Sequence, residues 1–329
     1  MRFVYVSLVL LIFSFYSCSD KQGQERGAYL PTSNGNINSL QVVMPNDYWT
    51  GTVGETLREY FAAPTDGLPQ DEPLFSMRQL PPQAFEGFVR NSRLFLYVNK
   101  GEKDTVIVKK NWYAKPQVGV SITAKSTEQL EIFLEDNHEV IIDVFKKAEL
   151  KERQRRTNLS LLKLRGLKET FGIDMKVPSA YRIALATDNF YWVRKSLEYG
   201  TTNIIVYEVP LDYIKEDNII GSIIKMRDEV GSALLPVEDD SPFITEAAYA
   251  PFLHEVELAG KKTYESKGTW EVQGAFMGGP FLNYAIEDKE SNRYLIVEGF
   301  THAPSVAKRD LQFELESIIK TLRFVNEEK

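Results

Sequence analysis

The chain contains a single cysteine, Cys18, and it lies where a thiol has a defined chemistry. Met1 and Arg2 form a short basic start, Phe3 to Phe15 is an apolar run broken only by Ser7 and Ser14, and Tyr16-Ser17 leads into Cys18. Polar sequence, Ser19-Asp20-Lys21-Gln22-Gly23-Gln24, follows at once. A small residue before a lone cysteine at the end of such a run reads as a bacterial lipoprotein cleavage site, with acyl chains attached to Cys18. The apolar run is shorter than the roughly 20 residues that cross a bilayer, so it reads as a signal peptide and not as a span. The bland alternative is an ordinary signal peptide with an incidental cysteine, but a free exposed thiol is a liability in a secreted protein.

No other residue set forms a catalytic motif. The three histidines, His138, His254 and His302, stand far apart. His254-Glu255 opens like a zinc-protease helix, but Leu258 occupies the place of the second histidine. There is no Gly-x-Ser-x-Gly elbow and no phosphate-binding glycine loop. Gly278-Gly279-Pro280 reads as a tight turn feeding a strand, since glycine supplies positive φ and Pro280 lacks an N–H. The acidic pairs Asp71-Glu72 and Glu238-Asp239-Asp240 fall in loop-like sequence without calcium-loop spacing. No catalytic residue, metal site or cofactor is therefore expected. The aromatics are more suggestive: Tyr191 and Trp192 are adjacent on a strand and must point to opposite sheet faces. Trp192, Trp270, Met277, Gly278 and Gly279 are the expected interaction surface, because Trp and Tyr dominate binding hot spots.

Composition sets outer bounds. Removing residues 1–17 of 329 leaves 312 residues, enough for two domains. Hydrophobic and charged contents of 43% and 26% are those of a globular chain able to bury a core. The formal net charge of −7 argues against a general nucleic-acid binder. Without a second cysteine there is no disulfide and no cysteine zinc site, so the core alone must supply stability.

Residues 18–36 read as a flexible tether, 37–167 as a first α+β half and 168–329 as a second. In the first half, strands are expected at 39–44, 94–98, 105–108 and 118–123. A helix follows the possible capping box Thr52 to Glu55, another spans Gln83 to Val89, and Ser126 to Gln129 forms a stronger box. Glu139 to Leu167 is helical in pattern. Its basic residues, including Lys146, Lys147, Lys151, Arg153, Arg155 and Arg156, read as a solvated face with i,i+4 pairs, or alternatively as a docking face for an acidic partner. The second half is strand-rich, with a helix over 217–231, an irregular 232–258, a hairpin turn at 288–292 and a final amphipathic helix after Pro304-Ser305. The fold class expected is α+β: two mostly antiparallel sheets, each with helices packed on one face.

Several stretches carry a family resemblance: LPQDEPLF (68–75), YAKPQ (113–117), NFYWVRK (189–195), GTWEVQGAFMGGPF (268–281), EGFTHAP (298–304) and KRDLQFELESIIKTL (308–322). Through them the chain resembles an uncharacterised family of Gram-negative envelope lipoproteins, known only as a domain of unknown function, over nearly its full mature length. The resemblance implies lipidation and an envelope location, at the outer membrane, and no activity. The second half also resembles in pattern the sheet-plus-terminal-helix domains of the photosystem-P-protein and Mog1 type. The expectation is a lipid-anchored binding or assembly module, held at the membrane by its acyl chains and meeting an envelope protein partner. The alternative is an envelope hydrolase with a cleft between the halves. Replacing Cys18 tests the anchor: wild-type protein is expected in the membrane fraction with an acyl mass on its N-terminal peptide, and Cys18→Ala in the soluble fraction.

Overall fold

The computed structural model describes residues 29–235 and 241–325; Cys18 and Glu238-Asp239-Asp240 lie outside the described residues. The first half is built on β1 (Ser39–Val43), β2 (Ser76–Leu80), β3 (Leu94–Lys100), β4 (Thr105–Lys110) and β5 (Val118–Ala124), in the order β2-β1-β3-β5-β4. The pairs β1–β2, β1–β3 and β3–β5 are parallel, and only β4–β5 is antiparallel. The antiparallel expectation fails here for a topological reason. Helices α1 (Asn46–Thr50) and α2 (Thr52–Phe61) form the crossover between β1 and β2, and a crossover of that length returns the chain parallel.

One face of this sheet buries Leu40, Val42, Leu96, Val120 and Ile122 against α2 and the 31-residue α3 (Thr127–Thr157). Ser126 caps α3, its hydroxyl accepting from the Gln129 N–H as the box predicts. The box expected at Thr52 does not form: Gly51 is the cap residue, and the Thr52 hydroxyl instead bonds Glu131 on α3. The helix expected over 83–89 is a pair of short 3-10 turns, Pro82–Ala84 and Gly87–Asn91. Residues 31–36, read as tether, are bonded into the fold. Thr32 bridges Lys115 and Asn34 bridges Ser92, and Ile37 and Asn38 are buried.

The second half follows α4 (Arg165–Phe171). Its short pair is β6 (Ile173–Asp174) with β15 (Arg323–Phe324). Its main strands are β7 (Arg182–Ala186), β8 (Phe190–Leu197), β9 (Gly200–Pro210), β10 (Phe243–Thr245), β11 (Phe252–Leu258), β12 (Lys261–Val272), β13 (Gly278–Asp288) and β14 (Arg293–His302). They form an antiparallel sheet in the order β10-β12-β13-β14-β9-β8-β7, with β11 also on β12. Two of these strands lie within 232–258, expected to be irregular. Helix α5 (Ile219–Leu234) and helix α6 (Arg309–Ile319) lie on opposite faces. Ile204, Val206, Leu295 and Val297 meet Leu315 and Ile318 of α6, whereas Ile205, Tyr207 and Ile296 share a core with Ile223 and Met226 of α5. The expectation of helices on one face therefore does not hold in this half. β13 and β14 are buried almost without alternation because both faces are covered.

Each half also buries a bidentate ion pair. Arg93 grips Glu149 of α3 at 2.6 and 3.0 Å, with side chains 3% and 0% exposed, and the Asn38 N–H donates to the same carboxylate. In the second half Arg227 of α5 grips Glu298 of β14 at 2.7 Å twice, and its guanidinium lies 3.3 Å from the Phe281 ring centroid. Removing one partner strands a buried charge. Glu149→Leu is expected to cost about 3–5 kcal/mol in chemical denaturation, and the double variant Arg93→Met, Glu149→Leu to regain most of it.

Candidate functional site

A cleft of about 470 Å³ lies where the halves meet. Three elements build it. From the first half, α3 contributes Asp143, Lys146, Lys147 and Leu150, whose spacing of three, four and seven puts them on one helical face. From the second half, α6 contributes Arg309, Gln312, Phe313, Glu316 and Lys320 just past its end, again one face. Lys267 of β12 and Phe281 and Leu282 of β13 supply the floor, and loop 64–68 closes one side. That loop lies so close that a Cβ on Gly67 (φ +75) would stand 2.8 Å from the Gly268 nitrogen.

Contacts between the halves hold the two helices in place. The Glu72 carboxylate accepts from the backbone N–H groups of Lys308 and Arg309 at 2.6 and 2.9 Å, so the first half caps a helix of the second. Arg309 donates to the Pro73 carbonyl at 2.7 Å. Arg153 of α3 pairs with Glu314 of α6, which also takes Lys195 and the Tyr181 hydroxyl. Gln154 donates to the Ser317 carbonyl at 3.1 Å. Glu72 is thus a structural residue, and Arg153 is an interface residue, not part of a solvated face.

The cleft is electropositive. Lys146, Lys147, Lys267, Arg309 and Lys320 face Asp66, Asp143 and Glu316. Lys147 pairs with Asp143, Lys320 with Glu316 and Lys267 with Glu265. Lys146 is different. Its ammonium donates to the Leu74 carbonyl at 2.9 Å and the Asn38 amide oxygen at 3.2 Å, and lies 4.6 Å from the Phe75 ring centroid and 5.4 Å from that of Phe313. Among the described residues it has no carboxylate within 4.0 Å. Burial, reinforced by the charge of Arg309, brings its pKa down to about 8. Burial alone would raise the Glu316 carboxyl, but the Lys267, Lys320 and Lys146 ammoniums outweigh it and hold the group below its ordinary value. Gln312 gives its amide N–H groups to the Pro280 carbonyl and the Thr301 hydroxyl, leaving its own oxygen without a protein partner.

The sequence-predicted surface lies elsewhere. Trp192, Trp270 and Met277 come together around a second cavity of about 130 Å³, on the α5 side of the second sheet. Trp192 is partly buried and donates to Asn203 at 3.1 Å, while Tyr191 sits in the core on the other face, as their adjacency requires. Trp270 is a core residue, 1% exposed, stacked on Phe243 at 4.6 Å and edge-on to Phe300, so it offers no surface contact. Gly279 is buried where a Cβ would come within 2.0 Å of the Thr301 carbonyl oxygen, and Gly278 is only partly exposed. Met277 and the fully exposed Phe276 are the apolar side chains at the rim. His138 stacks on Tyr60 at 3.8 Å, and His254 lies 3.9 Å from Asp66. Among the described residues no three His, Cys, Asp or Glu gather as a metal site.

The sequence reading allowed a cleft between the halves only within the hydrolase alternative and assigned no residues to it. Its one available signal was the paired helical spacing of 143, 146, 147, 150 and of 309, 312, 313, 316, 320; nothing local says that those two faces meet.

The comparisons with known proteins fall on the same two halves. Residues 33–158 match a domain of unknown function (DUF8532), and residues 160–321 match another, DUF4837. The chain carries two domains of unknown function. No curated protein matches it. Among solved structures it is similar to a Mog1 variant (9% identity, TM-score 0.32, covering 47% of this chain and 92% of that one) and to the Ran-binding protein Mog1p of Saccharomyces cerevisiae (10%, 0.33, 47% and 91%). It is also similar to LpqN of Mycobacterium tuberculosis, a protein involved in cell envelope biogenesis (11%, 0.30, 47% and 83%). TM-scores this low carry no inference about function.

The two tryptophans are expected to respond differently. Trp270→Ala removes a stacked core side chain and should cost about 3–5 kcal/mol in urea denaturation, whereas the half-exposed Trp192→Ala should cost clearly less.

Proposed function

We propose that this protein is a lipid-anchored envelope binding module, tethered through Cys18, whose inter-half cleft holds a ligand with an anionic head and an apolar tail. The observation that carries this reading is Lys146: a desolvated ammonium in a cleft, beside Arg309 and without a carboxylate partner among the described residues. Arg309 pairs with Asp310 at 2.9 Å, so among the described residues Lys146 is the cation of the two with no carboxylate in contact, and an anion joining it would offset the cost of its burial. Leu68, Leu74, Leu150, Leu282 and Phe313 line the rest, so the anion's attachment meets apolar walls. Glu316 bears on the hydrolase alternative. A carboxyl acting as general acid needs a raised pKa, and three lysines hold this one below its usual value. The lining holds no histidine, serine, cysteine or tyrosine; Thr65, Asp66, Asp143 and Lys146 are the groups a hydrolase reading would have to use.

The test is calorimetric titration with decyl phosphate below its micellar concentration. Wild type is expected to bind it, with inorganic phosphate weaker and neutral decyl maltoside weaker still. Lys146→Met should lower the affinity about tenfold or more, as expected for losing one charge-assisted hydrogen bond. Lys146→Met removes a desolvated charge but also two hydrogen bonds, so urea denaturation of the variant accompanies the titration. The pH dependence has a definite sign. The folded pKa of Lys146 is lowered from 10.5 to about 8. The bound anion favours the ammonium form, so affinity is highest between the second ionisation of the phosphate, at about pH 6, and pH 8, falls as pH rises through 8, and binding near pH 8 takes up a proton. Equal affinity of wild type and Lys146→Met would sink the reading; release of inorganic phosphate from the probe would return the hydrolase alternative.

A further inference from the structure

The first sheet has a second face that no helix covers. There Val43, Phe85 and Phe95 are buried under half-buried Val89, Tyr97, Trp112 and Tyr113. The rings contact one another: Phe85 on Phe95 at 5.1 Å, Phe85 edge-on to Tyr113 at 5.7 Å, Phe95 on Trp112 at 5.7 Å. Cations rest on this cluster, with the Arg90 guanidinium 5.2 Å from the Tyr113 centroid and the Lys109 ammonium 5.1 Å from that of Trp112. Phe88 is 75% exposed beside them. Lys110 and Lys115 are exposed nearby, and the exposed carboxylate in these segments is Glu86. On a chain of net charge −7 this is a locally positive, aromatic face.

Its position relative to the anchor gives it a partner. The chain from Cys18 joins the fold at this face: Lys115 donates to the Pro31 carbonyl at 2.8 Å, Ser33 donates back to Lys115 at 3.2 Å, and Asn34 donates to Asn91 at 2.8 Å. Ten residues, 19–28, separate Cys18 from Tyr29. Such a length reaches at most roughly 35 Å extended and averages about 18 Å as a coil. A lipidated Cys18 therefore keeps the loops 85–92 and 109–115, where the chain joins the fold, within that reach of the bilayer. We propose that this aromatic and basic face, Phe88, Arg90, Lys109, Trp112 and Lys115, rests on the anionic lipid surface to which Cys18 anchors the chain. Trp and Tyr favour the headgroup level and Lys and Arg favour anionic lipid, so both kinds of residue fit one occupant. The inference rests on the lipid-anchor reading above. It adds that the domain is oriented, with one face down.

The test uses acylated wild-type protein reconstituted in vesicles of phosphatidylethanolamine and phosphatidylglycerol with brominated acyl chains, which quench nearby tryptophan. Wild type is expected to lose an emission component that Trp112→Phe lacks. Unacylated Cys18→Ser protein is expected to bind these vesicles weakly, and each of Lys109→Glu and Lys115→Glu to weaken that binding roughly fivefold or more. Replacing phosphatidylglycerol by phosphatidylcholine should weaken it in the same way. Exposed lysines leave the fold intact when changed, so these variants keep the test independent of stability. Co-sedimentation through acylated Cys18 without Trp112-dependent quenching would overturn the face and leave the anchor standing. Absence of an acyl mass at Cys18 would overturn the anchor, and with it this inference.

Discussion

The geometry of the cleft depends on a carboxylate from one half capping a helix of the other. Helix α6 packs Leu315 and Ile318 into the core of the second sheet, yet the N–H groups at its start are satisfied by Glu72 of the first half. A helix start carries partial positive charge and unpaired donors, so this carboxylate serves the dipole and the hydrogen bonds together. Arg153 and Glu314 fix the two helices again further along α6. With both points set, the remaining faces of α3 and α6 stand opposite each other over Lys267 and Leu282, and the cleft is the space they leave.

That arrangement explains the unusual state of Lys146. Its neighbours on α3, Asp143 and Lys147, pair with each other along the helix, and Glu149 is committed to Arg93. Of the acids on α6 that bear on it, Asp310 pairs with Arg309 and Glu316 is shared by Lys320 and Lys267. Lys146 is left with a carbonyl, an amide oxygen and two aromatic faces, which accept a cation without neutralising it. On the far side of the same sheet the aromatic cluster around Phe95 fits because Gly119 has no side chain: a Cβ there would stand 2.1 Å from the Phe95 ring. One five-stranded sheet thus carries a helical layer that builds the cleft and an uncovered face beside the point where the chain from Cys18 joins the fold.

Legibility in the sequence followed the range of the forces involved. The α+β class, the Ser126 cap, the 288–292 turn and the opposed directions of Tyr191 and Trp192 are local matters of spacing and capping, and they hold in the structure. The parallel first sheet and the burial of Trp270 were not legible, because strand partners and sheet coverage are set by residues distant in sequence. The Thr52 box fails since Glu131 takes its hydroxyl from 79 residues away. The start of α6 shows the same effect. Local signals near Pro304-Ser305 suggest an earlier start, but the helix begins at Arg309, where Glu72 meets its N–H groups. A cleft between the halves was an alternative expectation, but its lining was not legible because each of its two helical faces reads alone as an ordinary charged surface.

The central claim is that Lys146 waits in the cleft as an unneutralised cation. Nuclear magnetic resonance of protein labelled with carbon-13 at the lysine ε position measures this directly, with the Lys146 signal assigned through Lys146→Arg. The account requires that lysine to titrate near pH 8 in the free protein and at higher pH once decyl phosphate is added. A Lys146 that titrates with the exposed lysines, or does not move when the anion is added, would contradict it.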